Sequence, residues 1–93
     1  MSEADADRAR ALLSEGREAL SSGNAKEAVR LLTESILLDA GPARPFAFRA
    51  RAYVQLEQPN AAIRDGEAAL ARNPDSAAGY KWCGRAEAMR GQW

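Results

Sequence analysis

Equivalent residues recur in this chain in units that begin at Ala9, Ala43 and Ala77, each 34 residues after the last. A repeat of that length is one supersecondary unit; it cannot bury its apolar side alone and must stack on a neighbour. The fourth position of each unit is bulky, with Leu12, Phe46 and Tyr80. The eighth is tiny, with Gly16, Ala50 and Gly84, and the eleventh holds Ala19 and Tyr53. Further along, Ala28 pairs with Ala62 and Ser35 with Ala69. Positions four, seven, eight and eleven fall on one face of a helix, so the tiny residue admits the bulk of a paired helix.

Turn and cap chemistry divides each unit in two. Pro59 suits a first helical position, where the missing N–H is no loss. Asn73-Pro74 ends that helix, because the residue before proline is pushed out of the helical region. Between them Ala62, Ile63, Gly66, Ala69 and Leu70 form a stripe of mostly small residues. Gly23 suits a left-handed helix end, and Asn24 suits the N-cap that follows. Gly41-Pro42 breaks the second helix, and Pro45 is tolerated in the first turn of the third. The pattern predicts helices over Ala4–Ser21, Ala25–Asp39 (buried stripe Val29, Leu32, Ile36), Arg44–Glu57, the stretch from Pro59 to Asn73, and Ser76–Arg90. All joints are short, as antiparallel pairs require.

This order of large and small residues resembles the tetratricopeptide repeat, whose unit is a pair of antiparallel helices. The resemblance implies an all-α, right-handed superhelical array in a single domain over residues 1–93. Its units are 9–42, 43–76 and a truncated third, 77–93. Gly66 stands where that fold usually has a larger residue, which predicts a slightly looser second unit. The third unit ends at Trp93 without its second helix, leaving the Tyr80, Cys83 and Gly84 side of the last helix uncovered. Either the chain is a piece of a longer protein, or another copy covers that side by self-association.

Composition removes several function classes. Lys plus Arg, 13, equals Asp plus Glu, 13, so net charge does not advertise nucleic acid or membrane. One cysteine and no histidine exclude a disulfide framework, a zinc cluster of Cys and His, and histidine acid–base chemistry. No apolar run nears the roughly 20 residues of a membrane span. Met1-Ser2-Glu3-Ala4-Asp5 is acidic and polar, unlike a secretory leader, so a cytoplasmic protein is expected. Without a phosphate loop, metal-ligand cluster or nucleophile–base pair, neither an enzyme nor a cofactor is expected. Cys83, with no histidine to activate it, reads as a half-covered packing residue.

In such an array the first helices of the units line the concave side. Position nine carries Arg17, Arg51 and Arg85; Arg10 and Arg44 sit at position two, Lys81 at five, and Phe48 and Trp82 at six. A formally neutral chain thus gathers positive charge and two aromatics on one predicted groove. Guanidinium forks suit carboxylates, and aromatics give anchor area. The alternative is that these arginines are solvated and merely lie over apolar neighbours.

One use of the fold is to grip the carboxylate tail of heat-shock chaperones. The five positions that would do so read Leu13, Arg17, Phe48, Ala78 and Trp82, and none matches. A closer likeness lies in Gln58 to Asp65, Asn73 to Ala77, Tyr80-Lys81-Trp82, Gly84 and Gly91-Gln92-Trp93, dense from Gln58 onward and thinner from Arg10 to Arg51. These residues resemble co-chaperones of the Hip family, partners of the 70-kDa heat-shock chaperone. The resemblance implies a module that docks its groove on the chaperone's ATPase domain, prefers the ADP state and delays nucleotide release. The dimerisation segment, charged stretch and client-associated region of that family have no counterpart here. A generic repeat adaptor for another acidic peptide or protein, and an RNA-binding helical repeat, are the competing readings.

Overall fold

The computed structural model describes residues 2–91. It contains five helices: α1 (Glu3–Ser21), α2 (Ala25–Leu38), α3 (Arg44–Gln55), α4 (Pro59–Arg72) and α5 (Ala77–Arg90). Met1, Gln92 and Trp93 lie outside the described residues, and with them the last two positions of the Gly91-Gln92-Trp93 motif and the end of the third unit. Among the described residues there is no strand. Each helix packs on the next in the chain; α3 also touches α1 and α5. The molecule measures 44 × 28 × 17 Å.

The boundaries follow from the caps. Ser2 accepts from the N–H of Asp5, Asn24 from that of Glu27 and Ser76 from that of Gly79, each satisfying a donor that the first turn leaves free. Ser76 is therefore the cap of α5 and not its first helical residue. Pro59 opens α4, and Asn73 leaves it in an extended conformation, φ −141°. Asp39 is likewise extended, so α2 stops at Leu38. Gly23 has φ +79°, the left-handed helix end expected of it. Glu57, expected to be helical, adopts φ +59° and ends α3 in the same way.

The core is built from small residues meeting leucine and phenylalanine. One cluster joins Leu20, Ala25, Ala28, Leu32 and Ala52; another joins Phe46, Ala47 and Ala69. Leu32 is wholly buried, whereas its predicted stripe partners Val29 and Ile36 are half-buried, and Leu31 is buried beside it. Gly16 admits Leu32 directly: a Cβ on Gly16 would lie 2.8 Å from Leu32 Cδ2. Gly66 corrects an expectation. A Cβ there would run into Cys83 Sγ and lie 3.2 Å from the Gly79 carbonyl, so the glycine lets α5 approach α4 closely and does not loosen the unit.

A polar clamp ties three helices together. Arg49 of α3 donates from Nε to Asp65 Oδ2 (2.7 Å) and from Nη2 to Asp65 Oδ1 (2.8 Å) on α4, and from Nη1 to Thr33 Oγ1 (3.1 Å) on α2. The Asp65 side chain is only 7% exposed and that of Arg49 18%. Nearby, Ser35 Oγ donates to the buried Ala9 carbonyl at 2.8 Å, joining α2 to α1.

Candidate protein-binding groove

Position nine of one unit reaches the aromatic at position six of the next. Arg17 of α1 places Cζ 5.2 Å from the centroid of Phe48 on α3, and Arg51 of α3 places Cζ 5.9 Å from the centroid of Trp82 on α5. The same stacking step thus occurs twice, and it lines α1, α3 and α5 along one wall. Each ring collects further cations from its own helix. Arg44 lies 5.9 Å from Phe48, Lys81 Nζ 4.9 Å and Arg85 Cζ 5.8 Å from Trp82. A cation over an aromatic face is worth about 0.5–1 kcal/mol at exposed sites. The larger consequence is order, since these long side chains rest on half-buried rings.

Seven of the eight residues expected in the groove therefore gather at two rings: Arg17 and Arg44 at Phe48, and Arg51, Lys81 and Arg85 at Trp82. Arg10 stands apart, paired on its own helix with Asp7. Among the described residues no carboxylate is within ion-pair distance of the other five cations, whereas Arg8 and Arg49 each have one and Arg30 has two. Phe48 also packs on the core cluster of Leu20, Leu32 and Ala52, so its ring is anchored from behind.

Arg10 and Arg44 meet elsewhere, on the wall of a cavity of about 220 Å³ between the first half of α1, the end of α2 and the start of α3. Ala6, Ala9, Leu13, Pro42 and Pro45 supply its apolar lining. Its polar groups are engaged: Ser35 donates to Ala9, and Asp39 Oδ1 accepts from the Gly41 N–H at 3.0 Å. Sequence periodicity did not reveal this cavity, because it depends on how far apart Pro42 and Pro45 hold two helix ends. The Arg49–Asp65 clamp was also missed, although one signal pointed to it: arginine at position seven, on the face assigned to the core, requires a buried partner.

Tyr80, 62% exposed, and Gly84, with nothing within 4 Å of an added Cβ, lie on an open side of α5 as expected. Cys83 instead lies against α4, with Sγ 3.7 Å from the Ile63 carbonyl. Burial, assisted by Glu67 and Glu87, pushes its thiol pKa up, so it packs in the neutral form. Among the described residues no helix is long and apolar enough to cross a membrane, and no group of three or more Cys, Asp or Glu side chains is placed to hold a metal ion.

No protein-family model matches the sequence. The TPR repeat-containing thioredoxin TDX of Arabidopsis thaliana is 45% identical over 87 residues, covering 94% of this chain and 23% of the relative. A FAM10 family protein of the same plant is 50% identical over 76 residues, 82% of this chain and 17% of the relative. Hsc70-interacting protein 1 of Drosophila melanogaster is 46% identical over 67 residues, 72% of this chain and 18% of the relative. The chain spans about a fifth of the length of these curated relatives. Among solved structures, the Arabidopsis OM64 TPR domain superposes with a TM-score of 0.92 at 22% identity, over 95% of this chain and 73% of that one. The five helices have the tetratricopeptide-repeat fold.

Proposed function

We propose that this chain is the interaction module of a Hip-like cytoplasmic co-chaperone, docking its concave groove on the ATPase domain of the 70-kDa heat-shock chaperone and stabilising the ADP state. The observation that carries it is the pair of aromatic rings on one wall, each with cations over it that, among the described residues, have no carboxylate within ion-pair distance. Such a wall complements an acidic protein surface and would speed encounter with it. The chaperone as partner is supported by the similarity to Hsc70-interacting protein 1. Docking on the ATPase domain rather than the tail accords with Leu13, Ala78 and Trp82 standing where a carboxylate clamp needs hydrogen-bond donors. The module acts by binding alone, as an adaptor and not an enzyme.

The test is a calorimetric titration with the ADP-loaded ATPase fragment. Replacing Arg51→Glu and Arg85→Glu together should weaken binding by about 100-fold, two charge reversals at about 1.4 kcal/mol each. Binding of the unaltered chain should weaken as salt is raised. Affinity indifferent to both changes would remove the groove from the interface. A second reading is a generic adaptor for another acidic protein, favoured by the thioredoxin TDX relative, whose match covers more of the chain than that of the Hsc70-interacting protein. Under it the groove variants lose partner binding while the ATPase fragment is not bound at all.

A further inference from the structure

In the second unit, the side turned towards the first receives an aliphatic side chain: Ile36 of α2 packs against Phe46, Ala47 and Ala69. The first unit leaves the same side open. Counting back 34 residues, Phe46 becomes Leu12, Ala68 becomes Glu34, Ala71 becomes Leu37 and Arg72 becomes Leu38. Those four and Arg8 line a depression of about 280 Å³ between α1 and α2. Leu12, 1% exposed, is its deepest wall. On its lip stands Leu37, 81% exposed, the most exposed large apolar side chain among the described residues.

A hole with a leucine beside it is self-complementary, because a two-fold axis gives each copy what the other lacks. The charges select the axis. Leading away from the depression, α1 presents Arg8 and then Glu15, while α2 presents Glu34 and then Arg30. An axis that runs between the helices and along them lays α1 of one copy antiparallel on α2 of the other. Arg8 then faces Glu34 and Glu15 faces Arg30, opposite signs at both levels. An axis across the helices would instead set Arg8 against Arg8 and Glu34 against Glu34.

We propose that two copies of the chain associate through α1 and α2 of their first units. Each inserts Leu37 into the other's depression beside Leu12, with Arg8 of one copy against Glu34 of the other. Arg8 lies about 200° around α1 from Arg10, so the contact leaves the concave groove of each copy free. The assembly is therefore bivalent for whatever the groove binds.

Sedimentation equilibrium of the whole chain tests this with no partner present. Between about 10 μM and 1 mM the mass should rise from one copy towards two, as for a small interface. Leu37→Ala changes a side chain too exposed to matter for folding. It should raise the dissociation constant at least about 30-fold, because the two-fold removes both leucines at once. Arg8→Glu alone and Glu34→Arg alone should each stay monomeric, since each sets like charges face to face. Mixed in equal amounts, these two variants should pair with one another, every contact again joining opposite signs. Tyr80→Ser should change nothing. A mass of one copy throughout, pairing that survives Leu37→Ala, or single charge variants that pair like the original or fail to pair when mixed would each overturn the proposal. So would loss of pairing on Tyr80→Ser, which would move the contact to the open side of α5. Failure of the ATPase fragment to bind would sink the chaperone assignment alone, because self-association is read without it.

Discussion

Glu57 is the residue whose backbone is most at odds with its side chain. It occupies the position of Gly23 one unit later, and both end a first helix with the same pair of hydrogen bonds. The Asn24 N–H donates to the Ala19 carbonyl (2.8 Å) and that of Gly23 to Leu20 (3.1 Å). Likewise the Gln58 N–H donates to Tyr53 (2.9 Å) and that of Glu57 to Val54 (3.0 Å). The motif demands a left-handed residue. At φ +59° a glutamate bears a cost of about 1–2 kcal/mol that glycine avoids, against about 0.5–1 kcal/mol of extra chain entropy for glycine. Glu57→Gly should therefore stabilise the chain by about 0.5–1 kcal/mol, raising the melting temperature by about 3–6 °C in a circular dichroism melt. An unchanged or lower midpoint would mean that the glutamate gains something elsewhere that offsets its backbone. Only the repeat register could have revealed this site, since Leu56-Glu57-Gln58 carries none of the usual turn residues.

At the scale of the helix, the two glycines on the α4–α5 side have opposite meanings. Gly66 is where α5 comes closest, and Gly84 faces open space. Alanine favours a helix interior over glycine by about 0.5–1 kcal/mol, so Gly84→Ala should gain about that much. Gly66→Ala should instead lose about 1–2 kcal/mol, because its methyl meets Cys83 Sγ and a backbone carbonyl that cannot turn aside. Urea unfolding of the two variants decides the matter, and a common sign would contradict the close approach. The Arg49–Asp65 clamp is the other inter-helix device. Asp65→Leu or Arg49→Met alone leaves a mostly covered charge without its partner and should cost about 2–4 kcal/mol. The pair of changes together should cost less than the sum, with a coupling above about 1 kcal/mol in a double-mutant cycle. Helix limits were legible to within two residues at every end, because proline, glycine, asparagine and serine punctuate the chain everywhere except after α3, where the miss is largest. The clamp was not, because which acid answers a buried arginine depends on how α2, α3 and α4 are set against one another.

Across the whole molecule the common wall was legible and its division was not. A repeat places equivalent residues in line whatever the offset between units, so Arg17 and Arg51 could be assigned to one side from spacing alone. That each reaches the ring of the following unit depends on the stagger between stacked helix pairs, which packing decides. The same one-dimensional arrangement governs stability. In a stacked array each helix is held by its neighbours, and local opening follows the apolar surface each contact buries. The described α5 buries only Gly79 and Ala86, leaves Tyr80 and Gly84 open and rests on α4 and α3. By contrast, α1 buries Leu12 and Leu20, α2 buries Leu31 and Leu32, and α3 buries Phe46. Amides of α5 should therefore exchange with solvent first, at least about tenfold faster than those of α2 and α3, a difference of about 1.4 kcal/mol in opening free energy. A partner bound over Trp82 and Arg51 of α3, as proposed above, should slow α5 selectively, since a ligand that binds only the closed form stabilises it by mass action. Native-state hydrogen exchange with and without the ADP-loaded ATPase fragment reads both effects. Equal protection across all five helices would show that the array opens as one unit, and α5 would then be no weaker than the helices it leans on.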